Sequence, residues 1–378
     1  MLTADALIAE AVAATGLDDF GRDTFRRGLG ELTESLNASA DLTEMGTEIL
    51  GQRLRGLLAS RLRVEDTYRQ HPEIDDQEVE GPVFVVGLPR TGTTALSQLV
   101  AADPQIRSLR VWESGSPVPP PEAATQDSDP RIAATAEGME LMYATFPRMR
   151  SLHNETATGA TECQDLLGME FATAHFDGMA RVPAYMAWVL GADMLPAYRY
   201  HRRVLQLLQW RCPPRLWHLK TPVHLLSLDA IVQVYPEARF LWSHRDPVEV
   251  IGSVCDLIAY IRSWASDRDD RRELGDEQVD LWCEAMRRGL AFRDAAQDHR
   301  FADLRFDELN ADPVAAIGVA YERIGLSLSN AAADHMRAWA AANARGAHGV
   351  HEYNLADFGL TPGAVRAAFG FYLDRFGG

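Results

Sequence analysis

The sequence predicts an α/β fold: a central parallel sheet flanked by helices, with a helical extension before it. Three observations predict it. Short apolar runs at residues 82–87, 215–220 and 238–246 are each followed by a stretch with helical spacing. The first run ends in a turn with glycines at positions 87 and 92. The chain is 378 residues long and 47% hydrophobic, enough for one large domain with an appendage.

The elements follow in order. Residues 1–78 read as a helical N-terminal extension. Ile49, Leu54, Leu57, Leu58 and Leu62 fall on one helical stripe, and "HPEIDDQEVEGP" ends it with prolines and acids. Residues 79–378 read as the α/β domain. Its first strand, "PVFVVG", is a Val-rich run of the kind buried on both faces. "TGTTALSQLVAAD" reads as a helix, "QIRSLRVWE" as a second strand and "SGSPVPPPEAATQDSDP" as a Pro-rich loop. Residues 130–212 read as a mostly helical insertion. "RLWHLK" and "ARFLWSHRD" read as strands, each followed by a helix opening on proline, and "HRFADLRFDEL" as the last strand. Helices fill the rest.

A net charge of −17 argues against nucleic acid or an anionic membrane as a bulk partner, because both need a basic surface. Cys163, Cys212, Cys255 and Cys283 show no CxxC or zinc spacing and read as reduced thiols. The N-terminus has acids and no basic n-region, and no apolar run approaches the roughly 20 residues of a membrane span. The expectation is a cytoplasmic chain.

The first turn carries the chemistry. Gly87-x-x-x-x-Gly92-Thr93-Thr94 lies between strand and helix, where glycines let backbone N–H groups close around an anion. The helix N-terminus adds its positive end. Nucleoside triphosphate loops carry Lys where this chain has Thr93, and here the cation, Arg90, lies inside the loop. No convincing acidic Mg²⁺ ligand stands at a strand end, so a ligand with fewer phosphates, handled without metal, fits better. Arg245 at a later strand end and Ser253, eight residues on, form a candidate second anion site. Lys220 is the single lysine among 37 lysines and arginines. An ammonium places one point charge on one oxygen, which a planar guanidinium does poorly.

With these residues in view, the chain resembles the PAPS-dependent sulfotransferases, P-loop enzymes that use 3′-phosphoadenosine 5′-phosphosulfate. Their 5′-phosphosulfate loop, P-K/R-S/T-G-T-T, is matched by Pro89, Arg90, Thr91, Gly92, Thr93 and Thr94. Their 3′-phosphate motif, an Arg followed eight residues later by Ser, is matched by Arg245 and Ser253. Lys220-Thr221-Pro222 is closer to the Lys-x-Pro of tyrosylprotein sulfotransferases than to the Lys-Thr-His of the soluble enzymes. The resemblance spans residues 82–310. It implies transfer of a sulfuryl group to a hydroxyl, or amine, of a small acceptor by in-line, metal-free displacement. Residues 130–212 and the Pro-rich loop would then wall the acceptor side, and their Trp, Met and Phe content points to an apolar acceptor.

The resemblance assigns Lys220 and Arg90 to the charge that builds on the departing phosphate. Phe306 replaces a Tyr that lies near the adenine. Arg345 and Gly346, with His348 or His351, stand where relatives cover the 3′-phosphate. Two general bases remain open. Glu113 matches a Glu of the tyrosylprotein enzymes, and His224 lies near the place where soluble enzymes carry a His. The dimer motif of the soluble enzymes is missing, so the oligomeric state stays open. Two other readings compete: an ATP-dependent small-molecule kinase and a non-catalytic nucleotide-binding module. Thr93 tells against the first and Lys220 against the second.

Overall fold

The structure, a computed structural model, describes residues 1–213, 216–343 and 353–377. Arg345, Gly346, His348 and His351 lie outside the described residues. Five strands form one sheet: β1 (Val83–Gly87), β2 (Arg107–Ser108), β3 (Trp217–Lys220), β4 (Arg239–His244) and β5 (Phe301–Arg305). Their order is β2-β3-β1-β4-β5, and every pair is parallel. The chain is therefore α/β with helices on both faces of the sheet, as its apolar runs predict.

Burial on both faces explains the unbroken apolar run of β1. Phe84 and Val86 join a core with Leu219, Phe240 and Trp242, while Val83 and Val85 join a second core with Leu96, Leu241 and Leu304. From β1 the chain first runs to the β2–β3 side and later crosses to β4 and β5 on the other. Such a reversal opens a crevice at the carboxyl ends of the strands, where open α/β sheets bind ligands.

Two elements differ from their sequence reading. β2 is only two residues long, because a helix starts at Val111 and the Glu113 side chain turns back to accept from the Arg110 amide at 3.3 Å. The helix expected after β3 is split into a 3₁₀ turn (Pro222–Leu226) and a helix (Leu228–Val234), with Ser227 non-helical between them.

Before β1, three helices (Ala4–Thr15, Thr24–Ser39 and Glu44–Gln70) pack together. Leu54, Leu57, Leu58 and Leu62 of the third are buried. Arg61 fastens them to the rest. It is fully buried, donates to the Phe20, Arg22 and Met169 carbonyls, and pairs with Glu170 at 3.0 Å. A buried guanidinium is tolerated only when its donors are satisfied in this way.

Candidate active site

Register puts three strand ends on one edge. Val85 pairs with Lys220, and Gly87 pairs with Ser243, so the β1 turn, the end of β3 and Arg245 beyond β4 converge. The turn is shaped by close approach. Gly87 has φ 143°, and a Cβ there would stand 2.6 Å from the Ser243 hydroxyl oxygen. Gly92 has φ 83° and lies against the Phe306 ring. Arg90 takes φ 65° without being glycine, a conformation that costs on the order of 1–2 kcal/mol and that a functional loop retains. Thr91 pegs the turn to β4: its Oγ1 lies 2.6 Å from Ser243 Oγ and 2.7 Å from the Leu88 carbonyl. The helix Thr93–Ala101 starts at Gly92, which has no side chain to cap it, so its first amides face the turn as an anion site.

On the β4 side, Arg90, Arg245 and Ser253 form one cluster. Arg90 donates to Ser253 Oγ at 3.1 Å and to the Leu152 carbonyl at 2.7 Å. Arg245 donates to the Arg90 carbonyl at 3.0 Å, pairs with Glu249 at 2.6 Å and stacks on Phe306 at 4.1 Å. Burial, and then the charge of Arg245, push the Arg90 pKa down. An anion placed beside the two guanidinium groups would relieve that penalty. A cavity of about 290 Å³ lies on this edge, lined by His244, Arg245, Arg305, Phe306 and Tyr372 among others.

On the β3 side stands Lys220, its side chain 5% exposed. Its Nζ lies 3.5 Å from Thr94 Oγ1 and forms an ion pair with Glu162 Oε1. Glu162 Oε2 accepts from Thr221 Oγ1 at 3.1 Å and from Gln164 Nε2 at 2.8 Å. Burial raises the Glu162 pKa, but the charges of Lys220 and His153 and the hydrogen bonds from Lys220 and Gln164 together outweigh it and hold it at about 2. Sequence reasoning missed Glu162, which lies 58 residues before its partner in an irregular segment. One signal existed. A lysine at a buried strand end needs a carboxylate, but nothing in the spacing says which one.

The two general-base candidates sit elsewhere. Glu113 is fully buried. Its Oε1 accepts from Arg107 and from Gln126, each at 2.7 Å, while its Oε2 caps its own helix. His224 is also fully buried. Its Nδ1 lies 2.8 Å from the Tyr198 hydroxyl, and its ring packs edge-on to Phe84. Burial drives its pKa far down, so the imidazole stays neutral. The structure therefore brings Arg90, Thr94, Lys220, Arg245, Ser253 and Phe306 to one edge and leaves Glu113 and His224 inside packed surroundings.

A larger cavity, about 900 Å³, lies apart from this edge. It is lined by Arg61, Glu65, Glu170, Arg199, Tyr200 and Arg203 among others, and shares no residue with the β1 turn. Its size does not outweigh the convergence of cations at the strand ends.

The model described as "Sulfotransferase family" matches residues 82–330. The chain is 33% identical to the crystal structure of sulfotransferase STF1 from Mycobacterium tuberculosis, with a TM-score of 0.89 over 98% of this chain and 99% of that one. It is 32% identical to sulfotransferase STF9 from Mycobacterium avium, with a TM-score of 0.92 over 100% and 97%. A curated relative, the omega-hydroxy-beta-dihydromenaquinone-9 sulfotransferase Stf3 of Mycobacterium tuberculosis, is 24% identical over 78% of this chain and 75% of its own length.

Proposed function

Because the chain belongs to the sulfotransferase family and is a transferase enzyme, we propose that its donor is 3′-phosphoadenosine 5′-phosphosulfate and its acceptor a hydroxyl on an apolar molecule. The observation that carries the donor reading is the grouping of cations at the β1 turn. Lys220 reaches Thr94 from one side, and Arg90, Arg245 and Ser253 meet on the other. In this reading the turn amides, Pro89 to Thr94, cradle the 5′-phosphosulfate. Arg245 and Ser253 take the 3′-phosphate, and Phe306 offers its face to the adenine.

The acceptor oxygen attacks sulfur, and the bond from sulfur to the bridging oxygen of the 5′-phosphate breaks. Its electron pair leaves with the phosphate. Lys220 and Arg90 stabilise that charge, an effect that is largest in a site arranged before the reaction. Glu113 and His224 enter this reading as scaffold: one holds a buried arginine, the other fills an aromatic core.

Two observations support an apolar acceptor. Arg90 bonds the Leu152 carbonyl, and Leu152 belongs to a small apolar cluster with Tyr143 and Met149, packed by Met139, Phe146 and Trp264. The name of the curated relative gives it a hydroxylated menaquinone derivative. No helix among the described residues is long and apolar enough to cross a membrane.

A thermal-shift comparison tests the donor. Adenosine 3′,5′-bisphosphate should raise the melting temperature in EDTA, and ATP with Mg²⁺ should do less. Stabilisation by ATP with Mg²⁺ alone would return the kinase reading.

A further inference from the structure

We propose that Glu162 is the general base of the transfer, held shut by Lys220 until the bound donor draws that ammonium away. The inference rests on the donor reading above and deepens it.

The geometry is that of a handover. One Lys220 ammonium touches both sides of the reaction: Thr94 of the phosphate turn at 3.5 Å and Glu162 Oε1 in an ion pair. The two Glu162 oxygens are not equivalent. Oε2 is held by Thr221 and Gln164, and these bonds fix the carboxylate whether or not Lys220 stays. Oε1 is bound to Lys220, so it is the oxygen that opens when Lys220 turns to the phosphosulfate. The Glu162 side chain is 20% exposed, while Glu113 and His224 are fully buried. Of these three, Glu162 alone can meet an entering hydroxyl without unpacking the core.

The step balances. Glu162 Oε1 takes the proton of the acceptor hydroxyl as the acceptor oxygen bonds to sulfur. The bond from sulfur to the bridging oxygen breaks, and its electron pair goes to the 5′-phosphate beside Lys220. The products are the sulfate ester, the bisphosphate and a protonated Glu162, which then returns its proton to water. Before the donor binds, Lys220 is the strongest of the groups that hold Glu162 at a pKa of about 2, too acidic to serve as a base. Once Lys220 faces a phosphate, its hold weakens and an anion stands nearby, so the carboxylate becomes more basic. The base is therefore switched on by the donor.

Other groups face Glu162. His153 lies on its side and pairs with Glu155 at 3.5 Å, and His175, His224 and Cys163 are close enough to feel its charge. Burial holds His175 at about 4 and raises Cys163 to about 12, so neither changes charge near pH 5.5. His153 is the remaining ionisable neighbour, so the comparison is repeated in a His153→Gln background.

Calorimetric titration with adenosine 3′,5′-bisphosphate at pH 5.5, in two buffers of different ionisation enthalpy, counts the protons taken up on binding. The parent should take up more than Glu162→Gln, because only the parent gains a basic carboxylate. Bisphosphate affinity in Glu162→Gln should be equal or tighter, since Lys220 loses a competing partner. A residue that merely positions Lys220 would weaken it. Single-turnover release of sulfate from 3′-phosphoadenosine 5′-phosphosulfate, with water as acceptor, should fall by roughly 10²-fold or more, the scale of a lost general base. If Glu162→Gln does not fold, Glu162→Asp should keep the proton uptake and lose part of the rate. Equal uptake in parent and Glu162→Gln, or a parental rate in either variant, overturns the proposal. A parent that does not bind the bisphosphate fails the donor reading instead, which separates the two.

Discussion

Two glutamate–cation pairs stand at neighbouring strands of this sheet, and they are built as opposites. At β2, Arg107 and Glu113 are sealed, with 9% and 0% of their side chains exposed, and Arg107 also lies over the Trp217 ring at 4.5 Å. At the end of β3, Lys220 and Glu162 are 5% and 20% exposed and border the phosphate turn. The sealed pair has a planar cation with several fixed donors, and the open pair a point charge on a rotatable stem. A sealed pair cannot exchange partners without leaving a bare charge in the interior, so it holds a corner. A pair at an open edge can exchange them. On the proposed reading, burial and the kind of cation, not the presence of a carboxylate near the loop, separate scaffold from chemistry.

The largest effect should come from breaking the sealed pair. Glu113→Ala leaves Arg107 uncompensated, and removing one member of a buried pair costs roughly 3–5 kcal/mol. Denaturant unfolding should report that loss, while bisphosphate affinity of the folded fraction stays near that of the parent. A Glu113→Ala protein of parental stability that has lost sulfuryl transfer would reverse the roles assigned to the two glutamates.

The open pair should fail in rate instead. Lys220→Ala should slow single-turnover sulfate release by roughly 10²–10³-fold, the scale of one lost electrostatic stabiliser, and should weaken bisphosphate binding less. Lys220→Arg should recover little, because a planar fork cannot seat one donor on the bridging oxygen without shifting. A Lys220→Arg enzyme as fast as the parent would mean that the kind of cation does not matter, and that half of the comparison would fall.

Arg245→Ala sharpens the donor side. It should cost adenosine 3′,5′-bisphosphate about tenfold in affinity, the worth of one charge-assisted contact, and adenosine 5′-phosphate much less. Equal losses for both nucleotides, measured by calorimetry, would make Arg245 a brace for the Arg90 carbonyl only.

The contrast also marks what the sequence could tell. Strands buried on both faces write themselves as apolar runs, so β1, β3 and β4 were legible, and the edge strand β5 was read as a strand although Asp303 and Arg305 are exposed. β2 was legible in place within "QIRSLRVWE" but not in length, because Glu113 turns the chain into a helix directly after its two residues. The glycines at 87 and 92 announced the turn because backbone shape there demands them. Glu162 was silent. It lies in an irregular stretch, its partner is 58 residues away, and no backbone conformation marks it. Glu113 drew attention by its place after the loop, and the fold turned that carboxylate inward.

The smallest effect is a pH dependence, and it tests whether the open pair is ionic at all. Glu162 has a folded-state pKa of about 2, below the unfolded value of about 4.3. A depressed carboxylate contributes stability that is complete above the unfolded value and is lost as pH falls toward the folded one. Without nucleotide, the parent should therefore melt above Glu162→Gln by a constant margin at pH 6–7. The margin should begin to shrink near pH 4.3, and by these values roughly half of it should be gone at pH 3. The Glu162→Gln protein supplies the right baseline. Its amide and a protonated Glu162 both leave the Lys220 ammonium facing a neutral side chain, so the two proteins converge as Glu162 takes up its proton. A margin that stays constant down to pH 3 would mean that Glu162 holds its place by hydrogen bonds to Thr221 and Gln164 alone, and that Lys220 has no charge to hand over.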